Sequence, residues 1–184
     1  MTSSKILYAI RNWRTKFREW LYGTSNTDGE VCYEGELHAK VIRGSGKVED
    51  LGVVCRRVVT NAGVSYMGDS FFAHASGHDI QNFNYHDSGT GTTAENVTDT
   101  DLGTPAGPTL RATGTQSTPS GGQYQTVGTI NYTGALAITE HGIFSQAARG
   151  GSSVLWDRSV FAAINVGNGD SIQFTYLLSI TSGG

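Results

Sequence analysis

The stretch "NVGNGDSIQFTYLLSIT", residues 165 to 181, decides the fold. Within it Ile172, Phe174, Tyr176, Leu178 and Ile180 recur at every second position, the period of a strand that turns one face to a core. Asn168-Gly169 stands just before the run. That pair tolerates the positive backbone angles of tight turns, so it predicts a hairpin leading into the strand.

Working outward, the same texture fills most of the chain. The segments "SVLWDRSVFA", "ALAITEHGIFSQ", "GQYQTVGTINYT", "TLRATGTQS" and "IQNFNYH" read as strands separated by polar turns. Nearer the start, Val31, Tyr33, Leu37, Ala39 and Val41 alternate with Glu34, Glu36, His38 and Lys40, a half-buried strand. "GSGKVED" then turns the chain into "LGVVCRRVVT". One segment breaks the period: "NAGVSYMGDSFFAHASG" sets Val64, Met67, Phe71 and Phe72 at helical spacing. Roughly eight strands at this density predict a mainly β protein, an antiparallel β-sandwich of jelly-roll-like type with one short internal helix. Composition agrees, with 25 Gly and only 16% charged residues in 184.

The first residues obey a different rule. In "SKILYAIRNWRTKFREWLY" the residues Ile6, Ile10, Trp13, Phe17 and Trp20 fall on one helical stripe. Lys5, Arg11, Arg14, Lys16 and Arg18 occupy other positions, against a single acid, Glu19. Gly23 and "GTSNTDG" close this helix, which predicts three parts: a basic amphipathic helix over 1–23, a hinge over 24–30 and a β-domain over 31–184. Ile6, Ile10, Trp13, Phe17 and Trp20 with Arg11, Arg14 and Arg18 are the candidate partner-binding residues. The same stripe also suits packing on the chain's own domain, or lying on a lipid surface.

Several functions are disfavoured by what is missing. The formal charge of −3 leaves the body acidic once the basic start is set aside, which argues against nucleic-acid binding. Nothing approaches the ~20 apolar residues of a membrane span. Ile6 to Ile10 is cut short by Arg11, so no secretory signal is expected. Cys32 and Cys55 fall on neighbouring expected strands; they are read as free thiols, with a bridge the alternative.

The polar stretch "NYHDSGTGTTAENVTDTDLGTP", residues 84 to 105, invites a search for chemistry. Gly89 to Ala94 matches the loose dinucleotide fingerprint, yet no helical stripe comes after it to supply the phosphate-binding amides. Asp87, Glu95, Asp99 and Asp101 offer oxygens for calcium, at spacings that match no cation loop. His74 and His78 stand four apart like zinc ligands, but Ser76 and Gly77 weaken the helix that would align them. His86-Asp87-Ser88 and Glu140-His141 hold triad ingredients, although neighbours on a strand point to opposite faces. No enzyme, cofactor or metal is therefore expected. Physics suggests instead that Asp99 and Thr100 brace the loop through backbone amides and that Leu102 pins its far end to the core. Arg158, in an apolar strand, needs a partner, and Glu140 is the candidate for a structural ion pair.

In order along the chain, Gly89 through Ala94, Asp99, Thr100 and Leu102 fit a "G-T-G-T-T-A-x(4)-D-T-x-L" segment. Glu140, Gly142, Ile143 and Phe144 fit an "E-x-G-[IL]-F" strand, and Leu155, Arg158 and Phe161 fit "L-x-x-R-x-x-F". Gly169, Asp170, Ile172, Phe174 and Tyr176 fit a closing "G-D-x-[IL]-x-[IFV]-x-Y" strand. This succession resembles a group of small tailed-bacteriophage virion proteins of head decorations, head fibres and tails, over about residues 50 to 181. The resemblance implies a structural part of the virion with no catalytic residues to carry over, and leaves the basic helix unmatched. The expected role is a homo-oligomer, a trimer, on the capsid or at the head-tail junction, anchored to capsid, portal or tail proteins by its first helix. The alternative is a tail-fibre or host-surface carbohydrate-binding module, with Tyr85, Tyr124 and Tyr132 as its aromatic rim.

Overall fold

A computed structural model describes residues 31–56, 58–72, 79–107 and 110–182. The predicted N-terminal helix and hinge, with all the candidate partner-binding residues, lie outside the described residues, as do His74, His78 and the side chain of Cys32. The chain divides into two compact units, residues 1–33 with 180–184 and residues 34–179. Of the first, the described parts are the outer ends of two strands, where Tyr33 and Ile180 are exposed. The second contains the hydrophobic core.

The alternating segments pair into two antiparallel sheets of five strands each. Ten strands are described: β1 (Val31–Ile42), β2 (Val48–Arg56), β3 (Val58–Val59), β4 (Tyr85–Gly89), β5 (Ala112–Thr113), β6 (Thr115–Ser117), β7 (Gln123–Asn131), β8 (Leu136–Phe144), β9 (Leu155–Val166) and β10 (Ser171–Ser182). Sheet A runs β2-β1-β10-β7-β6 and sheet B runs β3-β9-β8-β4-β5. Residues of both sheets share one hydrophobic cluster. Leu37, Ala39, Val41, Ile130, Ile172 and Phe174 come to it from sheet A, and Ile138, Phe161, Ile164 and Val166 from sheet B. A second cluster joins Tyr176 and Leu178 to Ile143, Trp156 and Phe83, and the Trp156 indole donates to the Tyr176 hydroxyl at 2.6 Å.

The run that decides the fold behaves as its period demands: Ile172, Phe174, Tyr176 and Leu178 are buried on one side of β10. The hairpin expected before it is corrected. Asn168 and Gly169 do form a turn, with Gly169 at φ 83°, but β9 lies in sheet B and β10 in sheet A. The turn is a corner between layers, held by Asp170, whose carboxylate accepts from the Gly44 and Gly167 amides and pairs with Arg43. Arg43 opens the turn of the β1–β2 hairpin, its amide donating to the Lys47 carbonyl.

Three further expectations give way. The single strand expected over "TLRATGTQS" is two short ones, β5 in sheet B and β6 in sheet A, because the chain changes layer at Gly114. "IQNFNYH" opens as a short 3-10 helix, Ile80–Asn82, capped by the Asp79 carboxylate, before β4 begins. Helix α1 (Asn61–Phe72) forms where the spacing placed it, but its inward residues are Gly63, Tyr66 and Met67, while Val64 is 53% exposed. Thr60 sets that rotation. Its hydroxyl accepts from the Gly63 amide as a helix cap and donates to the Leu155 carbonyl, so the first turn is pressed onto β9.

Candidate functional site

Polar residues concentrate on both sides of sheet B, and strand alternation sorts them. In the register of β4, β8 and β9, Asp87 stands opposite Gly142, which on its other side stands opposite Arg158, and Gly89 stands opposite Glu140. These occupy the outer face. His86, Ser88 and His141 turn the other way, into the interior.

Residues 90 to 104 cross the outer face as a strap, and Glu140 is what holds them. Its Oε1 accepts from the Gly91 and Thr104 amides at 2.9 and 2.7 Å, and its Oε2 from the Gly103 amide at 2.9 Å. Arg158 Nε donates to the same Oε2 at 2.9 Å, so the structure brings Glu140 and Arg158 together in a buried pair. Arg158 reaches on to Asp99 Oδ2 at 2.9 Å and to the Thr93 carbonyl at 3.1 Å. Burial alone would raise the Glu140 pKa. The Thr104 and Gly103 amides, the Arg158 guanidinium and the Gly91 amide outweigh it and hold the carboxyl below its ordinary range. Burial alone would lower the Arg158 pKa; Asp99 and Glu140 hold it above its ordinary value.

The strap can lie this close only because it is nearly bare at the contact. A Cβ on Gly91 would stand 2.5 Å from Glu140 Oε1. The "GTGT" run that suggested a phosphate cradle thus serves a carboxylate of the chain itself. Farther along, Asp99 closes its own turn by accepting from the Asn96 amide, and Leu102 packs on Phe144 and Leu155. Thr100 does not brace the loop: it is exposed and makes no side-chain hydrogen bond among the described residues. At the far bend the Val97 carbonyl accepts from the Asn61 amide at the start of α1.

A second ion-paired knot sits beside the first. Asp87, fully buried, takes Arg149 in a bidentate pair at 2.7 and 3.0 Å and Arg111 Nε at 3.3 Å. Burial pushes the Asp87 carboxyl up, against the pull of Arg149 and Arg111. The Arg111 guanidinium carbon lies 3.5 Å from the centre of the Phe144 ring, and the group donates to the carbonyls of Gln146 and Ala148 and to Ser153. Neither Arg111 nor Arg149 was singled out in the sequence. Arg111 had a faint signal as a cation inside an expected strand; Arg149, in a glycine-rich turn, had none.

On the interior face His86 Nδ1 lies 3.1 Å from His141 Nε2, and His86 Nε2 lies 3.1 Å from the Thr126 hydroxyl. Both rings are fully buried, and Ser88 shares a hydrogen bond with the Tyr132 hydroxyl. Asp87 and Ser88 are strand neighbours on opposite faces, so the triad ingredients are divided between two sides of a sheet. The calcium candidates do not gather either: Asp87 is held by Arg149 and Arg111, the exposed Asp101 lies 3.7 Å from the far side of Arg111, Asp99 is held by Arg158, and Glu95 pairs with no cation among the described residues. No group of three metal-ligating side chains gathers among the described residues. Of the expected aromatic rim, Tyr132 is buried, Tyr124 donates to the Phe83 carbonyl, and Tyr85 packs against the Leu102 cluster. These three do not form an exposed platform.

Chemically, the outer-face carboxylates are spent. Glu140 has four residues donating to its two oxygens, which leaves no lone pair favourably placed for a metal or for a substrate proton. The arrangement fastens a loop to a sheet. No family model matches the chain, and neither a curated protein nor a solved structure is significantly similar to it.

Proposed function

We propose that the chain is a non-enzymatic structural protein of a bacteriophage virion. In this reading the two sheets form a β-sandwich with jelly-roll-like closure, first strand beside last in sheet A. It assembles as a homotrimer on the capsid or at the head-tail junction. Residues 1–23 anchor it to capsid, portal or tail proteins through Ile6, Ile10, Trp13, Phe17 and Trp20, with Arg11, Arg14 and Arg18 beside them.

One observation carries the reading. Gly91, Asp99, Leu102, Glu140 and Arg158, all positions of the virion-protein resemblance, converge on a strap sealed to a sheet face rather than on an accessible cleft. A structural part needs such a seam, and an active site needs unspent groups. Deletion of residues 1–22 tests the anchor: the truncated protein should remain folded and soluble but stay off assembled particles. Normal incorporation of the truncated chain would refute it.

A host-surface role, binding carbohydrate, is favoured by a separate observation: Gln125, Gln173 and Thr175 line a groove on the outward side of sheet A.

A further inference from the structure

The outer side of sheet A carries a groove of about 250 Å³ lined by His38, Lys40, Asp50, Gln125, Gln173, Thr175 and Leu177. Its floor is set by strand period. Gln173, Thr175 and Leu177 are the outward residues of β10, between the buried Ile172, Phe174, Tyr176 and Leu178. Gln125 of β7 stands opposite Leu177, and Lys40 of β1 opposite Asp50 of β2. The groove therefore crosses four adjacent strands of one sheet.

Its lining differs from sheet B in what is left unspent. Among the described residues Gln173 and Thr175 make no side-chain hydrogen bond, and Gln125 accepts through Oε1 from Ser117 at 3.2 Å while its amide nitrogen donates to none. Lys40 and Asp50 pair at 3.2 Å and are well exposed, so the lining carries one charge of each sign. A balanced lining selects neither anions nor cations. Leu177 and Ala39 are the apolar residues of the lining, and Ala39 is buried, so an aromatic ligand would have one aliphatic side chain and the His38 ring to pack on. What remains is a ligand with many neutral groups that each donate and accept, matching carboxamide and hydroxyl side chains.

We propose that this groove binds a neutral saccharide, with Gln125, Gln173 and Thr175 as its principal hydrogen-bonding residues and Lys40 and Asp50 at its rim. The site deepens the host-surface reading and rests on it. Its size, just below the ~300 Å³ of ordinary small-ligand sites, suits a short segment of a glycan chain lying across the strands. Without an aromatic platform binding is weak, with Kd in the millimolar range.

The full chain, labelled with nitrogen-15, is titrated with glucose, galactose, N-acetylglucosamine and lactose, and in parallel with glucuronic acid and adenosine. The expected result is saturable amide shifts for at least one neutral sugar, centred on residues 38–40, 125 and 173–177. The Gln125→Ala/Gln173→Ala double variant should weaken binding at least tenfold with an unchanged circular dichroism spectrum. No saturable shift up to about 50 mM sugar, shifts centred elsewhere, or response only to glucuronic acid or adenosine would overturn the proposal. Adsorption of the chain to host cells separates the two levels. Adsorption of the unaltered chain without saturable sugar shifts at the groove refutes the groove and leaves the host-surface reading standing, whereas absence of both sugar binding and adsorption in the unaltered chain refutes both.

Discussion

Glu140 shows how one residue can join distant parts of a chain. It is buried, charged and bonded to three strap amides and one arginine, so its removal strips partners from several groups at once. Glu140→Gln should cost about 3–5 kcal/mol, the range for breaking a buried pair, measured by chemical denaturation at pH 7. The sign of the pH dependence is fixed by the same contacts. The folded-state pKa lies below the ordinary 4.5, so its stabilisation is fully present above about pH 4.5 and drains away as pH falls through the folded value. The Gln variant should lack that acid-side loss; an identical acid slope in both proteins would contradict the assignment. Packing is equally unforgiving inside. A Cβ on Gly128 would stand 2.5 Å from the His86 ring, which is fully buried and held by His141 and Thr126. Gly128→Ala should destabilise by about 1–3 kcal/mol, visible as a lower denaturation midpoint.

At the scale of elements, the strap over 90–104 depends on a few side-chain anchors more than on strand pairing. Asp99 is one of them, partly exposed and shared between the Asn96 amide and Arg158. Asp99→Asn should cost about 1 kcal/mol. Its distinct signature is local: faster hydrogen exchange of amides 90–104, with those of β8 and β9 unchanged. Uniform acceleration across the sheet would show that strap and sheet open as one. This element also marks how far sequence reasoning reached. A cation inside an apolar strand must find an acid, and that logic is local enough to name Glu140 for Arg158. The bracing role of Thr100 had the same warrant from residue type, but a hydroxyl's direction depends on the turn that carries it, and here it faces water. The helical spacing of Val64, Met67 and Phe71 located α1, yet its rotation was set by Thr60 and the β9 backbone, which no spacing encodes.

For the whole molecule, trimerisation is the prediction that matters. Light scattering at micromolar protein should give three times the 19.6 kDa chain mass; a monomer across the accessible concentrations would remove the oligomer from the proposed role. The deletion of residues 1–22 then asks a separate question, attachment rather than assembly.

Backbone pleating is a property of consecutive residues, so alternation in "SIQFTYLLSI" was enough to name a strand and its buried face, and the same held along most of the chain. Which sheet each strand enters is not written in that period, because an inward Ile looks the same whichever layer it belongs to. Asn168-Gly169 could promise a turn, but whether the chain folds back beside β9 or crosses to the other layer depended on β1 and β7 being free to flank β10. Asp87, placed by period on one face of β4, likewise acquired Arg111 and Arg149 only when a loop some twenty residues on and a turn some sixty on closed over it. Local sterics and polarity settle the elements; the burial of charge and the sharing of a core, which involve residues far apart in the chain, settle how they meet.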